Sequence, residues 1–234
     1  MKALILAAGM GTRLRPITDF KPKCMVEVNG VPIIFKQLDN LIQNGIKDIT
    51  VVAGYKADML KNALNKNYPF VDVIVNYEYE TTNNMYSAYL ARSSYAGKEF
   101  LLMNGDVFFD ESVIAELLKE QYVDSIVVEK GVFFEESMKV KFNKGRITEI
   151  SKQIPKNEAY GVSIDVYKFS AEGSRIFFNK IIEYVEIKKD LIQWTEVALN
   201  EILSEVKFTP CPLKGRWIEI DDFNDLKKAE EIFI

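Results

Sequence analysis

The chain contains no histidine among its 234 residues and only two cysteines, Cys24 and Cys211. Histidine is the commonest general base near neutral pH and the commonest metal ligand. Catalysis by this chain must therefore depend on Asp, Glu, Lys or Arg, or on a substrate that needs no base. Two cysteines are too few for a disulfide framework in a chain of this length, and a cysteine nucleophile would lack its usual histidine partner.

An excess of positive charge and long apolar runs are also missing. The formal net charge is -4 and the basic residues are scattered, which argues against a nucleic-acid partner. The apolar run from Ala3 to Ala8 is shorter than the hydrophobic region of a typical signal peptide, and no apolar stretch is long enough to span a bilayer. We therefore expect a cytoplasmic protein with no nucleic-acid or membrane partner.

Short apolar runs alternate with helical patterns over the first two-thirds of the chain. This alternation predicts βαβ units in an α/β, Rossmann-like three-layer fold, with a mostly parallel sheet and helices on both faces. The predicted parallel strands are Ala3–Ala7, Ile49–Ala53, Val71–Val75, Phe100–Met103 and Ser125–Val128. The predicted helices between them are Ile33–Asn44, Ala57–Lys66, Asn84–Ser94 and Glu111–Gln121.

After about residue 130 the pattern changes. A hairpin is predicted from strands at 138–142 and 146–150, followed by a strand at 161–169, helices at about 171–184 and 193–204, a strand at 217–220 and a last helix from about Asp222. No linker or repeat interrupts this order. We expect one domain over 1–234, with a nucleotide-binding half at about 1–130 and a small β/α lid that carries the acceptor site at about 131–234.

A glycine-rich loop after the first predicted strand is the strongest functional signal. It reads Ala-Ala-Gly-Met-Gly-Thr-Arg-Leu-Arg-Pro at 7–16, and Lys-Pro-Lys follows at 21–23. Glycines allow backbone N–H groups to approach a phosphate chain, and the cations neutralise its charge. The loop is not a Walker motif, because no Gly-Lys-Ser/Thr closes it. It is not a Rossmann fingerprint either, because Leu14 stands where the third glycine belongs.

Two further segments place carboxylates at strand ends. Asp106 ends Leu-Leu-Met-Asn-Gly-Asp, and Asp221 ends Trp-Ile-Glu-Ile-Asp. Ligands of α/β proteins bind at this edge of the sheet, and Mg²⁺ bound to substrate phosphates typically takes one or two carboxylates. Each residue also has a simpler interpretation. Asp106 could serve a turn, and Asp221 could cap the last helix, although Asp222 is also available for that role.

The loop resembles the signature of the sugar-nucleotidyltransferase superfamily, Ala-Ala-Gly-x-Gly-x-Arg-Leu-x-Pro with Pro-Lys some residues later. The resemblance implies Mg²⁺ held by Asp106 and Asp221, and catalytic roles for Lys23 and Arg13. An acceptor phosphate is already largely dianionic at neutral pH, so it can attack the α-phosphorus without a general base. The matching residues are Ala7, Ala8, Gly9, Gly11, Arg13, Leu14, Pro16, Pro22 and Lys23. The implied nucleotide-binding residues of this region are Leu6, Ala8, Gly9, Gly11, Thr12 and Arg13.

The run Asn83-Asn84-Met85-Tyr86-Ser87 indicates the branch of the superfamily. It is similar to the Asn-Asn-aromatic-Tyr-Ser run of phosphocholine-type cytidylyltransferases, which implies CTP as the nucleotide. Amide side chains both donate and accept hydrogen bonds, so Asn83 or Asn84 could read cytosine, with Ser87 beside them. Either asparagine could instead cap the helix, and the two roles can coexist.

The acceptor is harder to identify from sequence. A quaternary ammonium would favour aromatic rings, whereas an amino-acid-like acceptor would need an acid and a base. The branch implies phosphocholine or O-phospho-L-glutamine, capsule or cell-surface polysaccharide biosynthesis, and a monomer or homodimer. A sugar-1-phosphate uridylyl- or thymidylyltransferase and a non-catalytic nucleotide-sensing subunit are the alternatives. The candidate acceptor-binding residues are Glu129, Tyr160, Ser163, Trp194, Glu196 and Trp217.

Overall fold

Strands that are apolar on both faces form the centre of the structure, a computed structural model that describes residues 1–234. In the first strand Leu4 and Leu6 pack into one hydrophobic cluster, while Ala3 and Ile5 pack into another on the opposite face. The strands are β1 (Lys2–Ala7), β2 (Glu27–Val28), β3 (Val31–Pro32), β4 (Asp48–Ala53), β5 (Asp72–Val75), β6 (Phe100–Asn104), β7 (Val107–Phe109), β8 (Asp124–Lys130), β9 (Lys139–Asn143), β10 (Arg146–Ser151), β11 (Gly161–Phe169), β12 (Phe208–Pro212) and β13 (Trp217–Glu219).

Helices cover both faces of the sheet. The helices are α1 (Ile17–Phe20), α2 (Ile33–Gln43), α3 (Ala57–Asn67), α4 (Asn84–Leu90), α5 (Arg92–Tyr95), α6 (Ser112–Leu117), α7 (Ala171–Ile182), α8 (Thr195–Ile202) and α9 (Phe223–Ile232). The first hydrophobic cluster includes residues of α4, α7 and α8, and the second includes residues of α2, α3 and α6. This three-layer arrangement confirms the predicted Rossmann-like α/β fold. No helix is long and apolar enough to cross a membrane.

The main sheet has nine strands, with the order β10-β9-β11-β6-β1-β4-β5 and a branch from β11 through β8 to β12. Strands β6, β1, β4 and β5 are mutually parallel, whereas β11 runs antiparallel to β6, β8 and β9. The predicted strand at 125–128 is therefore present, but it joins the parallel core through an antiparallel strand. The predicted hairpin is also present, as β9 and β10.

Several boundaries differ from the prediction. The helix expected at 111–121 ends at Leu117, because the chain then turns back towards β8 with Tyr122 N donating to Lys119 O. The helix expected at 84–94 divides at Ala91, where the backbone hydrogen bonds tighten to the i−3 carbonyl. Helix α7 ends at Ile182 and continues as a π-helical segment, Glu183–Ile187. The helix expected at 193–204 spans Thr195–Ile202.

Candidate active site

A polar cavity of about 340 Å³ lies at the C-terminal ends of β1 and β6. Parallel strands end together at this edge, so the loops that follow them contribute side chains to one cleft. Residues from both predicted halves of the chain line it. The sequence-predicted residues that line it are Leu6, Ala8, Gly9, Arg13, Asn83, Asn84, Ser87, Asp106, Trp194, Glu196 and Asp221.

The glycine-rich loop depends on close backbone approaches. Gly11 has a left-handed backbone (φ +62°), and a Cβ there would lie 2.8 Å from Lys23 Cβ. The carbonyl of Gly11 accepts a hydrogen bond from Thr18 Oγ1 at 2.9 Å. A Cβ on Gly9 would meet nothing within 4 Å, and Gly9 faces the cavity. Glycine at 11 is therefore required for packing, whereas glycine at 9 leaves the cavity open. Gly11 and Thr12 do not themselves line the cavity.

Lys23 joins the two predicted metal carboxylates. Its Nζ donates to Asp106 Oδ2 and to Asp221 Oδ1, each at 2.7 Å. Arg13 adds a second cation 2.9 Å from Asp221 Oδ1. Burial alone would lower the pKa of Lys23, but the two carboxylates outweigh burial and raise that pKa above its ordinary value. Burial likewise works to raise the pKa of Asp221, yet Lys23 and Arg13 hold it below its usual range.

Two neighbouring strand segments bring Asp221 to Asp106. Strands β7 and β13 pair antiparallel, and just beyond them Ile220 N donates to Asp106 O at 3.0 Å. The simpler interpretation of Asp221 as a helix cap does not apply, because Asp222 caps α9 by accepting from the N–H groups of Asn224 and Asp225. The carboxylate of Asp221 is therefore available to the cavity.

A third carboxylate, Glu219, completes an acidic group with Asp106 and Asp221, whose oxygens lie within 4.8 Å of one another. Burial and then the charges of Asp106, Asp165 and Asp221 raise the pKa of Glu219 to about 9. Asp106 Oδ1 is buried and has no hydrogen-bond partner. Carboxylate oxygens are the ligands that Mg²⁺ prefers, so a free buried oxygen within this group fits a divalent cation.

The asparagines expected at the base have defined partners. Asn83 caps α4, and its Oδ1 accepts from Asn84 N at 2.8 Å, while its NH₂ group makes no hydrogen bond within the chain. Asn84 Oδ1 accepts from Thr195 N at 2.9 Å. Both residues line the cavity. The two oxygens are thus engaged with backbone, and the amide donor of Asn83 is the polar group of this pair left for a ligand.

The candidate acceptor residues fall into three places. Trp194 and Glu196 line the cavity described above. Glu129 and Trp217 line an adjoining cavity of about 670 Å³, where Trp217 Nε1 donates to Glu129 Oε2 at 2.6 Å. The remaining two, Tyr160 and Ser163, line neither cavity, since the ring of Tyr160 packs on Phe142 and Ser163 is buried beside Tyr167.

Residues 2–134 match the nucleotidyl transferase family. The chain belongs to this family. This nucleotidyltransferase is similar to two cytidylyltransferases. It is 29% identical to CTP:phosphoglutamine cytidylyltransferase of Campylobacter jejuni, over 97% of this chain and 98% of that protein. It is 30% identical to choline-phosphate cytidylyltransferase of Streptococcus pneumoniae, over 99% and 98% of the two chains. The solved structure of CTP:phosphocholine cytidylyltransferase from Streptococcus pneumoniae superposes with a TM-score of 0.79 and 25% identity, covering 100% of this chain and 99% of that one.

Several residues that line the cavity of this nucleotidyltransferase were not predicted. They include Asn76, Asn104, Lys152, Asp165 and Glu219. Glu219 could have been found, because it stands two positions before Asp221 at the end of a strand and alternate residues share a face. An acidic residue inside the apolar strand β11 was the corresponding signal for Asp165. No comparable pattern marks Lys152, whose position depends on how the hairpin folds over the cavity.

Proposed function

We propose that this nucleotidyltransferase transfers CMP from CTP to a small phosphorylated acceptor and releases pyrophosphate. The observation that carries the proposal is the meeting of Lys23, Arg13, Asp106 and Asp221 beside a glycine-rich loop. The acceptor phosphate attacks the α-phosphorus in line, and its own negative charge replaces the general base that a chain without histidine lacks. The two cytidylyltransferase relatives support CTP as the donor.

Mg²⁺ would be held by Asp106 and Asp221, with Glu219 within reach. The ion would neutralise charge on the phosphates of the nucleotide. Lys23 and Arg13 supply fixed positive charge at the same place, and fixed charges that face developing negative charge stabilise a transition state. In the free chain Lys23 and Arg13 offset the negative charge of Asp106 and Asp221. Three acidic side chains can therefore lie close together.

Selection of cytosine would depend on Asn83. Its oxygen is engaged with Asn84 N and the residue lines the cavity, so its NH₂ group remains as a donor for a ligand. Ring nitrogen N3 is an acceptor in cytosine and a donor in uracil. A fixed donor therefore favours cytosine, since a donor that faces another donor leaves a buried polar group unpaired, at about 1–3 kcal/mol.

The acceptor would be of the phosphocholine or O-phospho-L-glutamine type, as in the two relatives. Lys152 lines the cavity and forms no ion pair within the chain, so it is available to an anionic group of the acceptor. Its ammonium group lies 5.0 Å from the ring centre of Trp194.

The direct test is pyrophosphate release from CTP and Mg²⁺ with phosphocholine, O-phospho-L-glutamine, O-phospho-L-serine, phosphoethanolamine and glucose 1-phosphate as acceptors. We expect a CDP-linked product with at least one nitrogen-containing acceptor, identified by mass spectrometry. The variant Asp106→Asn should not form it, and Asp48→Asn, which changes a surface aspartate paired with Lys2, serves as its control. Product formed with glucose 1-phosphate alone, or no product with any acceptor, would contradict the proposal.

A further inference from the structure

The buried carboxylate of Glu196 and the half-buried carboxylate of Asp165 meet at one hydroxyl beside the cavity. Tyr167 Oη lies 2.9 Å from Asp165 Oδ1 and 2.8 Å from Glu196 Oε1. Asp165 and Tyr167 belong to β11, and Glu196 belongs to the first turn of α8. Both acidic residues line the cavity. Glu196 is one of the candidate acceptor-binding residues, whereas Asp165 and Tyr167 have no role in the chemistry derived above.

The protein supplies fewer hydrogen-bond donors than the carboxylate oxygens of Asp165 and Glu196 can accept. A tyrosine hydroxyl has one hydrogen to donate, and two carboxylates compete for it. No Lys or Arg forms an ion pair with Asp165 or Glu196; the nearest additional donor is Asn104 Nδ2, which donates to Asp165 Oδ2 at 3.1 Å. Buried charges in proteins are normally paired or hydrogen-bonded. The two carboxylates therefore have no cation in direct contact, and the charge of Lys152 acts on Glu196 only from a distance.

Glu196 is the more deeply buried of the two acidic residues. It is 3% exposed, and its Oε1 accepts from Tyr167 Oη at 2.8 Å. The hydroxyl of Thr195, next in sequence and 2% exposed, is without a hydrogen-bond partner. A carboxylate that is almost completely buried, lines the cavity and has no cation in salt-bridge contact indicates a ligand with N–H groups.

We propose that Asp165 and Glu196 bind a protonated amino group of the acceptor, which makes the acceptor an aminoalkyl or amino-acid phosphate. This inference rests on the proposed CMP transfer, because only that reaction makes the bound molecule an acceptor. Lys152 lines the same cavity and forms no ion pair, so it offers a positive charge there. A molecule with an ammonium group and an anionic group can pair with both kinds of charge.

A quaternary ammonium fits this group less well than a primary one. Quaternary nitrogen has no N–H to donate and is recognised by the faces of aromatic rings. The aromatic residues that line the cavity are Tyr79 and Trp194. Tyr79 packs edge-on with Tyr55, and Lys152 lies over the ring of Trp194. The cavity thus offers carboxylate oxygens where a primary amine could donate, and no ring cage.

The test is isothermal titration calorimetry with Mg²⁺ and non-reactive α,β-methylene CTP present. The probes are phosphoethanolamine, ethyl phosphate and phosphocholine, which differ in having a primary ammonium, no charge, or a quaternary ammonium at the same end. For the wild-type chain we expect phosphoethanolamine to bind at least about tenfold more tightly than ethyl phosphate, because a hydrogen bond between charged groups contributes this much or more. Phosphocholine should bind more weakly than phosphoethanolamine.

The variants Glu196→Gln and Asp165→Asn keep size and shape while removing one charge each. Asparagine tolerates the left-handed backbone of residue 165 (φ 57°), and thermal unfolding verifies that both variants fold. Each variant should lose the preference for phosphoethanolamine by at least about tenfold and bind ethyl phosphate as the wild type does. Glu120→Gln, an exposed site without an ion pair, controls for the change in net charge.

The inference is wrong if the wild type binds ethyl phosphate or phosphocholine as tightly as phosphoethanolamine, or if Glu196→Gln keeps the preference. Pyrophosphate release from CTP separates this failure from failure of the proposed function. Turnover without a preference for amines would leave CMP transfer standing and remove the ammonium site. A preference for phosphoethanolamine in calorimetry, with no release from CTP for any acceptor, would remove the activity and leave the site.

Discussion

Replacement of Lys23 by alanine should destabilise the free chain and make its stability depend on metal. The ammonium group of Lys23 is 2.7 Å from both Asp106 and Asp221, and the lysine side chain is 13% exposed. Without it, the carboxylates of Asp106 and Asp221 remain together with Arg13 as the one cation in contact with them, beside Glu219, which keeps its proton at neutral pH because its pKa is raised to about 9. Like charges at this separation repel each other, and burial prevents water from screening them fully.

The expected loss is about 3 kcal/mol. Removing one partner of a buried ion pair typically destabilises a protein by about 3–5 kcal/mol. The lower end applies, because the side chains of Asp106 and Asp221 are 24% and 26% exposed and a repelled carboxylate can take up a proton. In a chain of this size, 1 kcal/mol shifts the unfolding midpoint by about 2–4 °C, so Lys23→Ala should unfold roughly 6–12 °C below the wild type.

The assay is thermal unfolding in EDTA and again in Mg²⁺. Lys21→Ala is the matched control, because Lys21 lies two positions away and pairs with Glu27 at 2.8 Å on the surface, where a pair contributes about 0–1 kcal/mol. A ligand of the native state stabilises that state. Mg²⁺ should raise the unfolding midpoint of Lys23→Ala more than that of the wild type, because in the variant no lysine competes with the ion for Asp106 and Asp221. Equal midpoints for Lys23→Ala and Lys21→Ala in EDTA, or equal shifts with Mg²⁺, would refute the reasoning.

Three further outcomes are expected. Asp106→Asn and Asp221→Asn should each lower turnover by at least about a hundredfold in pyrophosphate-release assays, while their circular dichroism spectra stay those of the wild type. Near-normal rates of either variant at saturating Mg²⁺ would exclude that residue from the metal site. Burial raises the thiol pKa of Cys24 and of Cys211 to about 12. A disulfide reagent such as 5,5′-dithiobis(2-nitrobenzoate) should therefore label neither cysteine in the native chain and both cysteines after unfolding. Rapid labelling of the native chain would contradict this. Gly54→Ala should destabilise the chain by about 1–3 kcal/mol in urea, because the new Cβ would lie 2.6 Å from the backbone oxygen of Ala8 in the glycine-rich loop; an unchanged urea midpoint would contradict it.

The parallel core could be predicted from sequence because its strands are buried on both faces and read as continuous apolar runs. Strand β12 could not be predicted. It contains Pro210 and Pro212, and proline argues against a strand. The structure reconciles the two, since β12 lies at an edge and pairs with β8 alone. The short β7 was hidden for a different reason, as it follows Asp106 after a tight turn and pairs with β13 from the other end of the chain.

The site was predictable where local sequence carries the chemistry. The glycine-rich loop, Lys23, Asp106 and Asp221 each stand in a short segment with a recognisable pattern, and the structure brings them together. The residues proposed to bind the acceptor come together through long-range packing instead. Asp165 and Tyr167 on β11 meet Glu196 on α8 through side-chain hydrogen bonds, a relation that no spacing in the sequence expresses.

The measurement that tests the central claim most directly is the specificity constant for each nucleoside triphosphate, with pyrophosphate release as the readout and one active acceptor at saturation. The donor group of Asn83, fixed by its bond to Asn84 N, should favour the ring acceptor of cytosine. The predicted result is a kcat/KM for CTP at least roughly tenfold above that for UTP, dTTP, ATP or GTP. Equal use of CTP and UTP, or a preference for UTP or dTTP, would contradict a cytidylyltransferase.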